Sequence, residues 1–135
     1  MVKEEAVQVI TEIDLNEVNI SLRSDGIMYV FLKENCVLDI NLQDKLIDSY
    51  NTITGGKLTP FLFMADTGVS VTKEARDNAI LIEERSPCIA SAVIVNNLAY
   101  KLVANFYLQF NKPKRPYKVF SNKSDALEWL KKYLT

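Results

Sequence analysis

Apolar and polar residues alternate through the first third of the chain, then give way to a helical spacing. Residues 19–23, Asn-Ile-Ser-Leu-Arg, alternate as a strand with one buried face does. Ser24-Asp25-Gly26 supplies turn chemistry and residues 27–32 resume a β-rich run, so a hairpin closed by Asp-Gly is predicted. A second turn at Lys33-Glu34-Asn35 leads to a predicted strand over residues 36–40. Residues 1–16 are polar and mixed, and read as a loosely ordered lead-in with at most a frayed strand over residues 6–10.

Beyond this point Leu42, Leu46, Ile47, Tyr50 and Ile53 fall on one helical face. Asn41 is placed to cap that helix, Asp44 suits its first turn, and Gly55-Gly56 stands where a left-handed C-cap is expected. Pro60 opens Phe61-Leu62-Phe63-Met64-Ala65, a continuous apolar run that suits a strand covered on both faces and ends at Asp66-Thr67-Gly68. A second helix is predicted from Ser70 or Thr72 to Glu84, with Val71, Ala75, Ala79 and Ile82 on one stripe and Ser86-Pro87 as its stop. Residues 89–95 form a second deeply buried strand, 98–110 a third helix and 117–120 a short strand. Ser121 or Asn122 caps a last helix whose Ala126, Leu127, Leu130 and Leu134 face inward, with Glu128 and Lys132 paired outside. No internal repeat, low-complexity tract or linker interrupts the chain, so residues 1–135 are expected to form one domain. A strand meander followed by helix–strand alternation predicts an α/β fold: a mixed sheet with parallel central strands and four helices.

Composition narrows the chemistry. With 135 residues, 48% hydrophobic and 24% charged, the chain is ordinary for one globular domain. No apolar run approaches the ~18 to 20 residues that span a bilayer. The opening Met1-Val2-Lys3-Glu4-Glu5 carries acids and no apolar core, so no secretory leader is expected and the expected location is cytoplasmic. Cys36 and Cys88 sit in apolar, strand-like stretches and are expected to be buried free thiols. The net charge of −1 gives no field to recruit nucleic acid. There is no histidine, which removes histidine-based acid–base catalysis, Ser-His-Asp and Cys-His nucleophiles, and His-containing metal sites. Neither a metal nor a cofactor is expected.

Two segments stand out as recognition candidates. On a helical wheel of 98–110, Asn97, Lys101, Asn105 and Gln109 make one narrow polar stripe. Ala99, Tyr100, Leu102, Val103, Phe106, Tyr107 and Phe110 spread over roughly 160°, wider than the ~100° that one-sided packing needs. That excess suits packing against a second helix, a second subunit or an apolar ligand. Next to it, residues 112–118 contain Lys112, Lys114, Arg115 and Lys118 with two prolines, either a stiff solvated loop or a contact for anionic groups. Together they would suit an anionic amphiphile. Gly55-Gly56-Lys57 closes a helix rather than opening one, so it is a cap and not a phosphate loop.

The C-terminal part resembles a known group. Ile89-Ala90-Ser91-Ala92-Val93-Ile94-Val95, the aromatic segment with Asn105-Phe106, Asn111-Lys112-Pro113, Val119-Phe120-Ser121, Ala126 and Trp129-Leu130 are similar to the SpoIIAA-like group of STAS-related proteins. The likeness covers residues 85–134 well and the first half by element order. It implies an anti-anti-sigma-like, STAS-like fold and a regulatory or ligand-sensing role. The switch of the best-known relatives implies a hydroxyl beside an Asp-Ser-Ser-Gly loop. Here Asp66-Thr67-Gly68-Val69-Ser70-Val71-Thr72 departs from that pattern, so Asp66, Thr67, Ser70 and Thr72 are candidate switch-loop residues with a capping or turn role as the alternative.

The expected function is a non-catalytic STAS-like module acting through protein contacts, including a homodimer through 98–110. The alternative is a carrier or sensor of a hydrophobic or amphiphilic small molecule. Either would use Tyr100, Val103, Tyr107, Phe110, Lys112, Lys114 and Arg115. An enzyme comes third, resting only on Asp66 and nearby hydroxyls.

Overall fold

Asp25 and Gly26 make the first hairpin as their chemistry requires. Gly26 takes φ +82°, the Asp25 carboxylate accepts the Ile27 N–H at 3.0 Å, and the Gly26 N–H donates to the Arg23 carbonyl at 2.9 Å. The computed structural model describes residues 6–95 and 113–134. Among these residues the strands are β1 (Val9–Asp14), β2 (Val18–Arg23), β3 (Met28–Leu32), β4 (Val37–Leu38), β5 (Thr59–Ala65), β6 (Ser70–Val71), β7 (Cys88–Ile94) and β8 (Tyr117–Phe120). The α-helices are α1 (Ile40–Thr54), α2 (Lys73–Ile82) and α3 (Lys123–Leu130).

Six strands form one mixed sheet in the order β1-β2-β3-β5-β7-β8. The first three pair antiparallel, and β3, β5, β7 and β8 pair parallel. Strand register lines up one apolar row across the whole sheet: Ile13, Ile20, Val30, Phe63, Val93 and Val119. Because side chains alternate between faces, the neighbouring row (Ser21, Tyr29, Leu62, Ala92, Lys118) points the other way.

Each face has its own core. On one, Val18, Ile20, Met28, Val30 and Phe61 pack against Leu42, Leu46, Ile47 and Tyr50 of α1 and Ile82 of α2. On the other, Ile27, Tyr29, Leu62, Ala90, Ala92 and Phe120 pack against Ala126 and Leu130 of α3. The alternation of Phe61 and Leu62, both fully buried, explains why residues 61–65 read as one unbroken apolar run. Ala90, Ala92 and Ala126 are short enough to bring α3 close to the sheet.

Local chemistry sets the helix ends. Asp39 accepts the Leu42 N–H at 2.8 Å, Thr72 the Ala75 N–H at 3.1 Å, and Asn122 the Asp125 N–H at 2.9 Å. Gly55 ends α1 at φ +64°. Asp39→Ala is expected to lower stability by about 1 kcal/mol in urea denaturation, the usual effect of losing a cap.

Several expectations need correction. The lead-in is a paired strand, β1, which runs beyond residues 6–10 and lies at the exposed sheet edge. The strand predicted over 36–40 shrinks to Val37–Leu38, which pairs with β6 apart from the main sheet, because Asp39 leaves it to cap α1. Asp39, not Asn41, is that cap. Ser70 belongs to β6, leaving Thr72 to cap α2. Leu134 is 40% exposed rather than inward-facing, and Glu128 pairs with Lys131 at 3.2 Å rather than with Lys132. The described residues hold three α-helices, and the fourth predicted one, 98–110, lies outside them.

Candidate functional site

The inward stripes of α1 and α2 differ in bulk. That of α1 is Leu42, Leu46, Ile47 and Tyr50, whereas α2 offers Ala75 and Ala79 before Ile82. Ala75 is fully buried, whereas Ala79 is half-buried and lines an open space beside α2. It is a trough of about 790 Å3, within the range of ligand clefts. Phe63, Ser91 and Val93 of β5 and β7 line it, with Ile47 and Tyr50 from α1 and Ala75, Ala79 and Ile82 from α2.

An amide pair, Gln43 buried and Asn78 half-buried, links the two helices. Gln43 Nε2 donates to the Ala75 carbonyl at 2.9 Å, and Asn78 Nδ2 donates to Gln43 Oε1 at 2.8 Å.

Its two ends are polar. At the C-terminal ends of the strands lie Asp66, Thr67 and Ser70. Asp66 is an exposed turn residue: its carboxylate accepts the Thr67 N–H at 2.7 Å and its own N–H donates to the Leu32 carbonyl at 2.8 Å. The Asn35 N–H donates to the Thr67 carbonyl at 2.9 Å, tying this turn to the β3–β4 connection. Thr72 does not line the trough and spends its hydroxyl on the cap of α2.

At the opposite end, Arg115 is latched rather than free. Its Nη1 donates to the Ser86 carbonyl at 2.6 Å and the Cys88 carbonyl at 2.8 Å. Glu83 accepts the backbone N–H groups of Lys114 and Arg115, both at 3.2 Å. Within the basic run, Lys114 is exposed and Arg115 is half-buried and structural. Of the other predicted recognition residues, Tyr100, Val103, Tyr107, Phe110 and Lys112 lie outside the described residues.

Cys88 lies in the same corner, its thiol 3.4 Å from the Ala90 carbonyl and 3.1 Å from the Ser91 hydroxyl. Burial pushes this thiol up to about 12 and also raises that of Cys36. Both cysteines are free. Since only thiolate reacts, Cys88 should label with a disulfide reagent at pH 8 at least about 100-fold more slowly in the native protein than in urea. As pH climbs from 9 toward 12 the unfolded chain loses the Cys88 proton before the folded one does, so this group's contribution to stability declines across that window.

Sequence reasoning missed Tyr50, Ala79, Ser91 and Val93 as site residues. No pattern along the chain marks them, because the trough is formed between elements distant in sequence. Among the described residues no group of three or more His, Cys, Asp or Glu could hold a metal ion, and no helix is long and apolar enough to cross a membrane.

The architecture has a counterpart among solved structures. It is similar to an uncharacterized protein of the DUF3478 family with a SpoIIAA-like fold from Shewanella loihica PV-4, at TM-score 0.55 and 12% identity, covering 96% of this chain and 98% of that one. That likeness shows a SpoIIAA-like fold, as the C-terminal motifs implied, and it is a likeness of fold alone. No curated protein matches the chain. Over residues 20–134 the chain matches the model of a domain of unknown function, DUF7793, and it belongs to that family.

Proposed function

We propose that this domain is a non-catalytic binding module that holds a small apolar molecule in the trough, as a carrier or sensor. The carrying observation is the trough itself: about 790 Å3 between an alanine-faced helix and the row through Phe63 and Val93. A preformed apolar cleft of this size stabilises a ligand chiefly by removing its surface from water. At its ends the side chains of Arg115, Glu83 and Asp66 each bond backbone groups, an arrangement suited to shape and burial rather than to bond-breaking chemistry.

The test is titration with the neutral dye N-phenyl-1-naphthylamine, alongside native mass spectrometry of freshly purified protein. A saturable, blue-shifted fluorescence rise at one dye per chain is expected. No saturable binding and a bare mass would overturn the reading.

A second reading, recognition of a protein partner, has separate support. Val9 and Ile10 are 48% and 64% exposed on β1, the outermost strand of the sheet. Sheet edges with exposed apolar residues pair readily with added strands. The bulge at Ile10 and the carboxylates of Glu12 and Asp14 counter that tendency. The trough is therefore the stronger site. Sedimentation that is unchanged between wild type and Ile10→Glu at micromolar concentration would remove self-association through this edge.

A further inference from the structure

We propose that this domain binds a second copy of itself side by side, the β8 edge of one sheet adding to the β1 edge of the next. The inference rests on the second reading above, recognition through the β1 edge, and names the surface that meets it.

Strand direction permits this contact without turning either copy over. β1 is antiparallel to β2 and β2 to β3, whereas β3, β5, β7 and β8 run parallel. β1 and β8 therefore point the same way from opposite ends of the sheet. Each is the last strand on its side among the described residues, so one flank of its backbone has no neighbouring strand there. The lengths also agree. The bulge at Ile10 leaves residues 11–14 as the regular part of β1, and β8 is four residues long.

Register shows that the two edges match. The row through Ser21, Tyr29, Leu62 and Ala92 starts at Glu12 on β1 and ends at Lys118 on β8. The next row, through Ile20, Val30, Phe63 and Val93, starts at Ile13 and ends at Val119. When a neighbouring copy continues these rows, Lys118 stands beside its Glu12 on one face and Val119 beside its Ile13 on the other. Glu12 and Lys118 are both exposed. In the same register Phe120 meets Asp14, whose charge is already paired with Lys33 at 2.8 Å. Pairing β1 with another β1 gains nothing comparable, because that strand carries two carboxylates and no cation. Charge and apolar surface both favour β8.

Such a contact is heterologous, so each added copy leaves an edge open and assembly continues past the dimer. Four residues a side bury little area, and the dissociation constant is expected on the order of 100 μM.

The experiment is sedimentation of the full chain from about 5 μM to about 1 mM in about 50 mM NaCl. The average mass of wild type should rise with concentration and pass that of a dimer. Glu12→Lys and Lys118→Glu, each alone, should weaken association at least about fivefold by setting like charges side by side. An equimolar mixture of the two variants should associate as wild type does, since each then offers the other a matching edge. Wild type that stays monomeric throughout overturns the inference and self-association through β1 together, and leaves the trough reading to the dye. Association lost in Ile10→Glu but unaltered in Lys118→Glu overturns this inference alone. A mixture that does not recover also overturns it. Should either variant fail to fold, wild type decides the point: association no weaker in about 500 mM NaCl than in about 50 mM would contradict the charge pairing.

Discussion

Phe61→Ala is expected to lower the stability of the domain by about 3–5 kcal/mol, read as a shift of the urea midpoint with unchanged slope. Phe61 is fully buried near the middle of the sheet, flanked by Met28 of β3 and Ser91 of β7. Its ring lies 4.8 Å from Tyr50 in an edge-on contact and 5.8 Å from Phe63, so it joins α1 to the floor of the trough. Removing it takes away apolar burial and leaves a cavity that the paired strands cannot collapse to fill. Against a typical domain stability of about 5–15 kcal/mol, such a loss would leave a large unfolded fraction or none folded. Leu58→Ala, at a site 45% exposed just before the same strand, should change stability by no more than about 0.5 kcal/mol. A loss below about 1 kcal/mol for Phe61→Ala would show that this ring does not anchor the core.

Ala79→Phe should abolish dye binding, by at least about 30-fold or 2 kcal/mol, while changing stability by about 1 kcal/mol or less. Ala79 is half-buried on the inner face of α2 and lines the trough. A phenyl group there would enter open volume, so it meets neither the crowding of a packed core nor solvent alone. The small loss of helix propensity is offset by new apolar contact. Leu81→Ala, on the opposite side of the helix and 77% exposed, serves as the control and should leave dye binding unaltered. Retained binding in Ala79→Phe would place the dye elsewhere on the molecule.

Much of the fold was legible because burial leaves a periodic trace. The hairpin of β2 and β3 followed from alternation around Asp-Gly, and β5 and β7 followed from apolar runs that serve both faces. The strand β1 was understated because most of its side chains face solvent, so no buried stripe marks it. Asn41 was mistaken for the α1 cap because both Asp39 and Asn41 carry a suitable side chain. Which one caps depends on where β4 releases the backbone, a tertiary matter. The trough was least legible of all. It is a deficit of side-chain volume between elements distant in sequence, and pattern reading registers what is present on each element, not what two elements together fail to fill. The chain's pattern points instead to 98–110, which lies outside the described residues, and to Arg115, whose guanidinium is held by backbone carbonyls.

The switch from antiparallel to parallel pairing at β3 has a consequence for how the chain acquires its shape during synthesis. The first three strands join through short local connections, and so can zip together soon after they emerge from the ribosome. The far side of β3 must wait for β5 to arrive after a whole helix has been made, and each later strand repeats the delay. During that interval an apolar strand edge, with Val30 and Phe31 beside it, stands unpaired. An unpaired edge of this kind is where a half-made chain is most open to non-native pairing.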